Sequence, residues 1–182
     1  MPTEAFKFEC TRCGKCCRWG GWVCLYPDDV SRLAAYKVIS TQEFIDSYTM
    51  HIAVEYKSGT MTTVVPYLAL KSIGDTCILL DDNLCSVHEA KPVHCSASPL
   101  LAEFLLDDSG WEQFSTGCDG MNQGPVITRP EIDQALMQQA ERDMVYEADL
   151  EKHGWDLGIL LGVKLAKAEL IPEIGFEVEI EE

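Results

Sequence analysis

Long apolar runs are missing from this 182-residue chain; the best stretch, around Gly158 to Leu165, is far too short. A membrane-spanning helix needs roughly 18 to 20 such residues, so a span is excluded. Positive charge is scarce as well. Lys and Arg number 14 against 30 Asp and Glu, for a formal charge of −16, and they never form a run of five. Such a field repels phosphate backbones and anionic lipid, so neither nucleic acid nor a membrane surface is an expected partner. Met1 to Glu9 hold no basic region leading into an apolar core. The expectation is therefore a cytoplasmic chain without a secretory leader, its thiols kept reduced. No glycine-rich strand-turn-helix is available for a nucleotide, because Gly154, Gly158 and Gly162 fall in a helical pattern. Cys-x3-Cys-x2-Cys is absent too, which argues against a self-contained radical enzyme of that pattern.

Cysteine, by contrast, is abundant. Nine are present, and most fall in clusters instead of singly on apolar faces. The count is odd, and the adjacent Cys16 and Cys17 could pair only through a strained eight-membered ring, so a disulfide framework is disfavoured. Cys10-x-x-Cys13-Gly14-x-Cys16-Cys17 puts four sulfurs within eight residues. Two thiolates about 4 Å apart repel by roughly 4 kcal/mol at an effective dielectric near 20. Sulfurs so gathered are stable as neutral thiols or around a cation, and a cation explains the clustering better. Gly14 suits a turn with positive φ that lets backbone N–H groups point at sulfur.

The same turn serves two metals. Cys-x-x-Cys-Gly suits zinc, while Cys-x-x-Cys-Gly-x-Cys matches the run that, with a distant fourth cysteine, holds a 4Fe-4S cluster. Cys77, Cys85, Cys95 and Cys118 are the distant candidates. With the local four they make eight, enough for two four-coordinate centres, although buried small thiols are an alternative for the distant set. Cys16 and Cys17 could serve one centre or one each. Cys24 reads as a core thiol. His88 and His94 lie at ligand spacing from Cys85 and Cys95, but hydrogen-bonding or surface roles are the first reading. Trp19 and Trp22 would shield a cluster from water or simply pack in the core.

These motifs resemble the CxxCxxCC family of zinc- or iron-chelating cysteine-cluster domains, from Phe8 to about Gly124. The first block runs from Phe8 to Cys17. The second is Cys77-Ile78-Leu79-Leu80 followed by Cys85 through Lys91-Pro92-Val93-His94-Cys95, and the third is Cys118-Asp119-Gly120. Lys91 stands where the family usually has Arg, and Ser96-Ala97-Ser98-Pro99 replaces its Arg-x-Phe-Pro. The resemblance implies that Cys10, Cys13, Cys16, Cys17, Cys77, Cys85, Cys95 and Cys118 are the metal ligands. It also implies an accessory role beside enzymes such as methylases.

Tyr26-Pro27-Asp28-Asp29 opens a short helix, and Ser40-Thr41-Gln42-Glu43 is a capping box opening a second, through about Met50. Both are expected to cover the cysteine loop. Strands are predicted at Met61 to Lys71, with Pro66 implying an edge or bulge, at Cys77 to Leu80, at Leu100 to Leu106 and at Trp111 to Ser115. Asp107 to Gly110 reads as a hairpin turn. Thr128-Arg129-Pro130-Glu131 caps a helix of roughly 20 residues ending at Gly154, with Ile132, Leu136 and Ala140 facing the core. His51 and His153 fall on predicted helices. Trp155 to Leu170 is predicted as a further helix and Phe176 to Ile180 as a strand. The expected architecture is α+β: a cysteine-cluster metal-binding domain at 1–125 with a helical C-terminal extension at 126–182 packed on it.

The function expected from these readings is a protein that holds a 4Fe-4S cluster or Zn for electron transfer, for metal or cluster handling, or as an accessory subunit. Enzymatic activity of its own is the less favoured reading. Its partners would be the metal or cluster and a protein not identified by the sequence. Two rivals are a zinc-stabilised interaction module without redox chemistry and a thiol-redox or group-transfer enzyme component.

Overall fold

The computed structural model describes residues 5–58 and 61–171. The strands are β1 (Phe6–Phe8), β2 (Cys24–Leu25), β3 (Thr49–Ser58), β4 (Met61–Leu70), β5 (Ser72–Ile73), β6 (Thr76–Cys77), β7 (Leu80–Asp81), β8 (Leu84–Cys85), β9 (Met121–Ile127) and β10 (Glu169–Ile171). The helices are α1 (Pro27–Lys37), α2 (Thr41–Tyr48), α3 (Val93–Ala97), α4 (Ala102–Leu105), α5 (Asp108–Gly117), α6 (Arg129–Lys152) and α7 (Leu157–Leu161). Short 3-10 turns lie at Cys16–Arg18 and His88–Ala90. The class is α+β.

The main sheet has the order β10-β3-β4-β2. β3 and β4 are antiparallel along their full length, from Thr49 opposite Leu70 to Ser58 opposite Met61. β10 adds in parallel to β3, and β2 covers only Leu68 and Ala69 of β4. Pro66 therefore sits beyond the reach of β2, where its missing N–H leaves no ladder bond unmade. Its carbonyl accepts from Tyr146 Oη of α6 at 2.6 Å. His51 lies on β3 and not on a helix, because α2 ends at Thr49, whose hydroxyl donates to the Ile45 carbonyl at 2.9 Å. The core lies between this sheet and α1, α2 and α6: Leu33, Phe44, Ile52, Leu68 and Leu150 are fully buried. Each such side chain contributes about 1.5–3 kcal/mol through removal from water.

The predicted caps form. Ser40 Oγ accepts from Glu43 N at 3.1 Å, and Thr128 N donates to the Glu131 carboxylate at 2.7 Å. On α6 the inward residues are Ile132, Leu136, Gln139, Asp143, Tyr146 and Leu150, whereas Ala140 is exposed. A strict four-residue step overshoots the helical turn by about 40°, so the stripe alternates steps of four and three. His153 ends α6, its Nδ1 in contact with the Asp149 carbonyl at 2.7 Å.

Five predicted features differ. The strand expected over Cys77 to Leu80 is broken by a turn at residues 78–79 between β6 and β7. Leu100 to Leu106 and Trp111 to Ser115 are largely helical, in α4 and α5. Asp107 is an N-cap instead of a hairpin turn, its carboxylate accepting from Gly110 N at 2.6 Å. Leu101 and Leu105 are buried four residues apart, the helical repeat. The helix expected over Trp155 to Leu170 stops at Gly162, which is left-handed at φ 65°, and the chain then enters β10. Phe176 to Ile180 lies outside the described residues. No helix among the described residues is long and apolar enough to cross a membrane.

Candidate metal centre

The loop from Cys10 to Gly20 is clamped between two miniature hairpins and the segment after α5. Gly14 is left-handed at φ 73°, and a Cβ there would lie 2.5 Å from the Asn83 carbonyl in the β7–β8 turn. Only glycine allows that approach. Arg18 donates to the Asn83 side chain, and Gly20 N donates to the Asp75 carbonyl at 3.1 Å in the β5–β6 turn. On the other side Glu9 N donates to the Gly120 carbonyl at 3.1 Å. A Cβ on Gly120 would stand 2.3 Å from Glu9 O. Lys15 Nζ meets Asp119 at 2.5 Å. The two hairpins and the Cys118 segment, rather than α1 and α2, are the loop's direct supports.

α3, which carries Cys95, is held by a residue whose role the sequence did not reveal. Asp29 is fully buried in the first turn of α1. Its carboxylate accepts from Tyr26 N at 3.2 Å, from Val93 N at 3.0 Å and from Arg32. Arg32 in turn donates to the carbonyls of Ala90 and Lys91 at 3.4 and 3.2 Å. A buried carboxylate and its half-buried arginine thus fix the chain on both sides of Pro92. The sequence offered Asp29 only as a first-turn acid; its bond to Val93 N spans 64 positions.

The sulfurs fall into two neighbourhoods. Cys118 lies within electrostatic reach of Cys13, Cys16 and Cys10, in that order of influence. Cys95 is within reach of Cys16, Cys77 and Cys85, and Cys17 of Cys16, Cys77 and Cys85. Cys16 stands at the junction and hydrogen-bonds with Cys17. That bond pulls the Cys16 thiol down to about 6, with Lys91 assisting, and pushes Cys17 up. Burial raises Cys95 and Cys77. Burial also raises Cys118, opposed by the Gly120 N–H at its sulfur, just as the Leu79 N–H opposes burial at Cys77. Lys15 is raised by its bond to Asp119, and the thiols of Cys13 and Cys118 act in the same direction.

Cys24 stands apart on β2, opposite Ala69. Its thiol is pushed up to about 12 by burial and then by Glu103 and Asp143. His94 faces Glu103, Nε2 to carboxylate 3.1 Å, in keeping with a hydrogen-bonding role. His88 is lowered by burial, and its Nε2 is shielded without a hydrogen-bond partner among the described residues. Trp19 packs edge-on against Phe114 at 5.3 Å and over Gly117, forming an apolar wall beside the loop.

Among the described residues no three Cys, His, Asp or Glu side chains stand as a closed ligand set. The donors nonetheless fit a thiophilic metal. They are all sulfur, they are gathered on turns that glycine makes possible, and backbone N–H groups aim at Cys77 and Cys118 as they do at bound thiolates. Iron in sulfide clusters and zinc both take such donors.

No curated protein and no solved structure matches the chain. One family does match, over residues 9–119, which takes in all eight clustered cysteines and their hairpin supports. The chain belongs to the CxxCxxCC family, described as "Putative zinc- or iron-chelating domain".

Proposed function

We propose that the protein holds two four-cysteine metal centres side by side. Cys10, Cys13, Cys16 and Cys118 would form the first, and Cys17, Cys77, Cys85 and Cys95 the second. The observation that carries this reading is the division of the sulfurs into two electrostatic neighbourhoods that meet at the Cys16–Cys17 pair. Successive residues of a 3-10 turn point about 120° apart, so adjacent cysteines there can face different centres. Residues 1–125 would carry both centres, and residues 126–182 would brace them against the sheet.

Iron-sulfur is the favoured occupant of the first centre, because its first three cysteines keep the Cys-x2-Cys-x2-Cys run of cubane sites. Bound there, a 4Fe-4S cluster would supply one-electron chemistry. The chain's own part is to hold thiolates, to direct N–H groups at Cys118, and to exclude water with Trp19 and Phe114. The role is electron transfer or cluster handling in the cytoplasm, without a reaction catalysed by this chain alone. Anaerobic purification, followed by metal analysis with visible and electron paramagnetic resonance spectra, tests it. Brown protein with about four irons and four sulfides per cluster supports it. Colourless protein with stoichiometric zinc makes it a zinc-stabilised module instead.

A further inference from the structure

Apart from the cysteine groups, the molecule contains a cavity of about 480 Å³ between the sheet, α6 and the α3–α4 segment. That volume is in the range of small-molecule sites, which lie commonly at roughly 300–1,000 Å³. Its walls include Cys24, Tyr26, Tyr56 and Tyr67 together with the charged or titratable groups of His94, Glu103, Arg142 and Asp143. Nothing in the proposed metal function uses these residues.

The charges in the cavity are unevenly satisfied. Glu103 faces His94 at 3.1 Å. Arg142 lies over the Tyr26 ring, 5.3 Å from its centroid, and is 3.6 Å from the Asp28 carboxylate, so its charge is already answered. Asp143 accepts a hydrogen bond from Tyr26 Oη at 2.5 Å and, among the described residues, has no cation within ion-pair distance. The phenol rings are held rigidly. Tyr67 stacks on Tyr146 at 5.2 Å, Tyr146 meets Tyr26 edge-on at 5.8 Å, and the Tyr67 and Tyr56 hydroxyls hydrogen-bond each other.

Arg142 and His94 also line the cavity and act on Asp143 from a distance. Phenol rings and a carboxylate without a direct ion pair attract the same kind of guest. The negative face of an aromatic ring draws a cation, and a partly desolvated carboxylate draws it further. Arg142 on Tyr26 shows that these rings already accept one. An anion would meet Asp143 and Glu103 in the cavity wall; burial and both carboxylates push the Cys24 thiol away from its charged form, and burial and Asp143 do the same to the Tyr26 and Tyr67 phenols. We propose that the cavity binds a small organic ammonium, its charge against Asp143 and its alkyl groups against Tyr26, Tyr56 and Tyr67. This inference does not rest on either metal centre.

The test uses the full chain as purified and titrates choline against its neutral isostere 3,3-dimethylbutan-1-ol and against acetate, followed by calorimetry and tyrosine chemical shifts. Choline is expected to bind saturably, about tenfold or more tighter than the neutral analogue. Asp143→Asn keeps an acceptor for Tyr26 and should fold, yet lose about tenfold in choline affinity; Tyr56→Leu should lose less. Unchanged circular dichroism and melting of both variants separate lost binding from lost structure. The proposal is overturned if the neutral analogue binds equally well, if acetate binds better, if Asp143→Asn binds choline unchanged while folded, or if choline shows no saturable binding at millimolar concentrations.

Discussion

Between Thr49 and Leu70 the chain buries Ile52, Val65, Leu68, Ala69 and Leu70 in a ten-residue antiparallel pairing, whereas between Glu9 and Gly20 the only buried residue is Gly14. The first region is held by apolar area removed from water. The second is held by backbone and side-chain bonds to small hairpins, by the surface ion pair Lys15–Asp119 and by close approaches at glycine. Polar stitches of this kind contribute about 0.5–1.5 kcal/mol each. On the proposed reading a metal fixes this loop, while the sheet stands without one.

Metal removal should break this comparison most sharply. A structural metal contributes on the order of 10 kcal/mol of folding free energy. Chelation under reducing, oxygen-free conditions is expected to strip hydrogen-exchange protection from residues 9–20 and 72–96 while the β3–β4 amides stay protected. Equal loss in both regions would show that the sheet depends on the metal as much as the loop does.

Asp29 joins the two regions, and its removal comes next in size. Asp29→Ala removes the buried acceptor of Tyr26 N, Val93 N and Arg32 and should cost about 1.5–3 kcal/mol in urea unfolding. Metal content should fall with it although Asp29 touches no sulfur; a variant that keeps full stability would contradict the anchoring role.

Gly14 and Gly74 are both left-handed, at φ 73° and 60°, but only Gly14 has a carbonyl where a Cβ would go. Alanine at either position pays about 1–2 kcal/mol for the backbone. Gly14→Ala should in addition weaken metal retention, and Gly74→Ala should not, as competition with a chelator would show.

Asp143 gives the smallest effect. Burial raises its carboxyl in the folded protein, despite the Tyr26 bond that acts the other way. Folding thus favours the protonated form, so the stability it contributes is present below the unfolded value near pH 4 and is lost as pH rises through the folded value. Melting of Asp143→Asn should therefore gain on the wild type between pH 4 and pH 7. A gap that narrows in the other direction would mean that the carboxylate is stabilised in place.

Local signals carried most of what the sequence revealed. The cap residues Ser40 and Thr128 and the turn at Gly14 each act within a few positions, and each is found where expected. The pairing of β1 with β9, the Lys15–Asp119 contact across 104 positions and the Asp29 anchor are long-range, and no local pattern foretells them. The α4–α5 segment misled because Leu, Phe and Trp suit strands and helices alike. Asp107 decides between them only once its carboxylate is seen to cap Gly110.

The two-centre arrangement is tested most directly by native mass spectrometry of anaerobically prepared protein carrying Cys118→Ser or Cys95→Ser. Each variant is expected to lose one centre and keep the other, with complementary losses. Loss of all metal in both, or of the same centre in both, would contradict it.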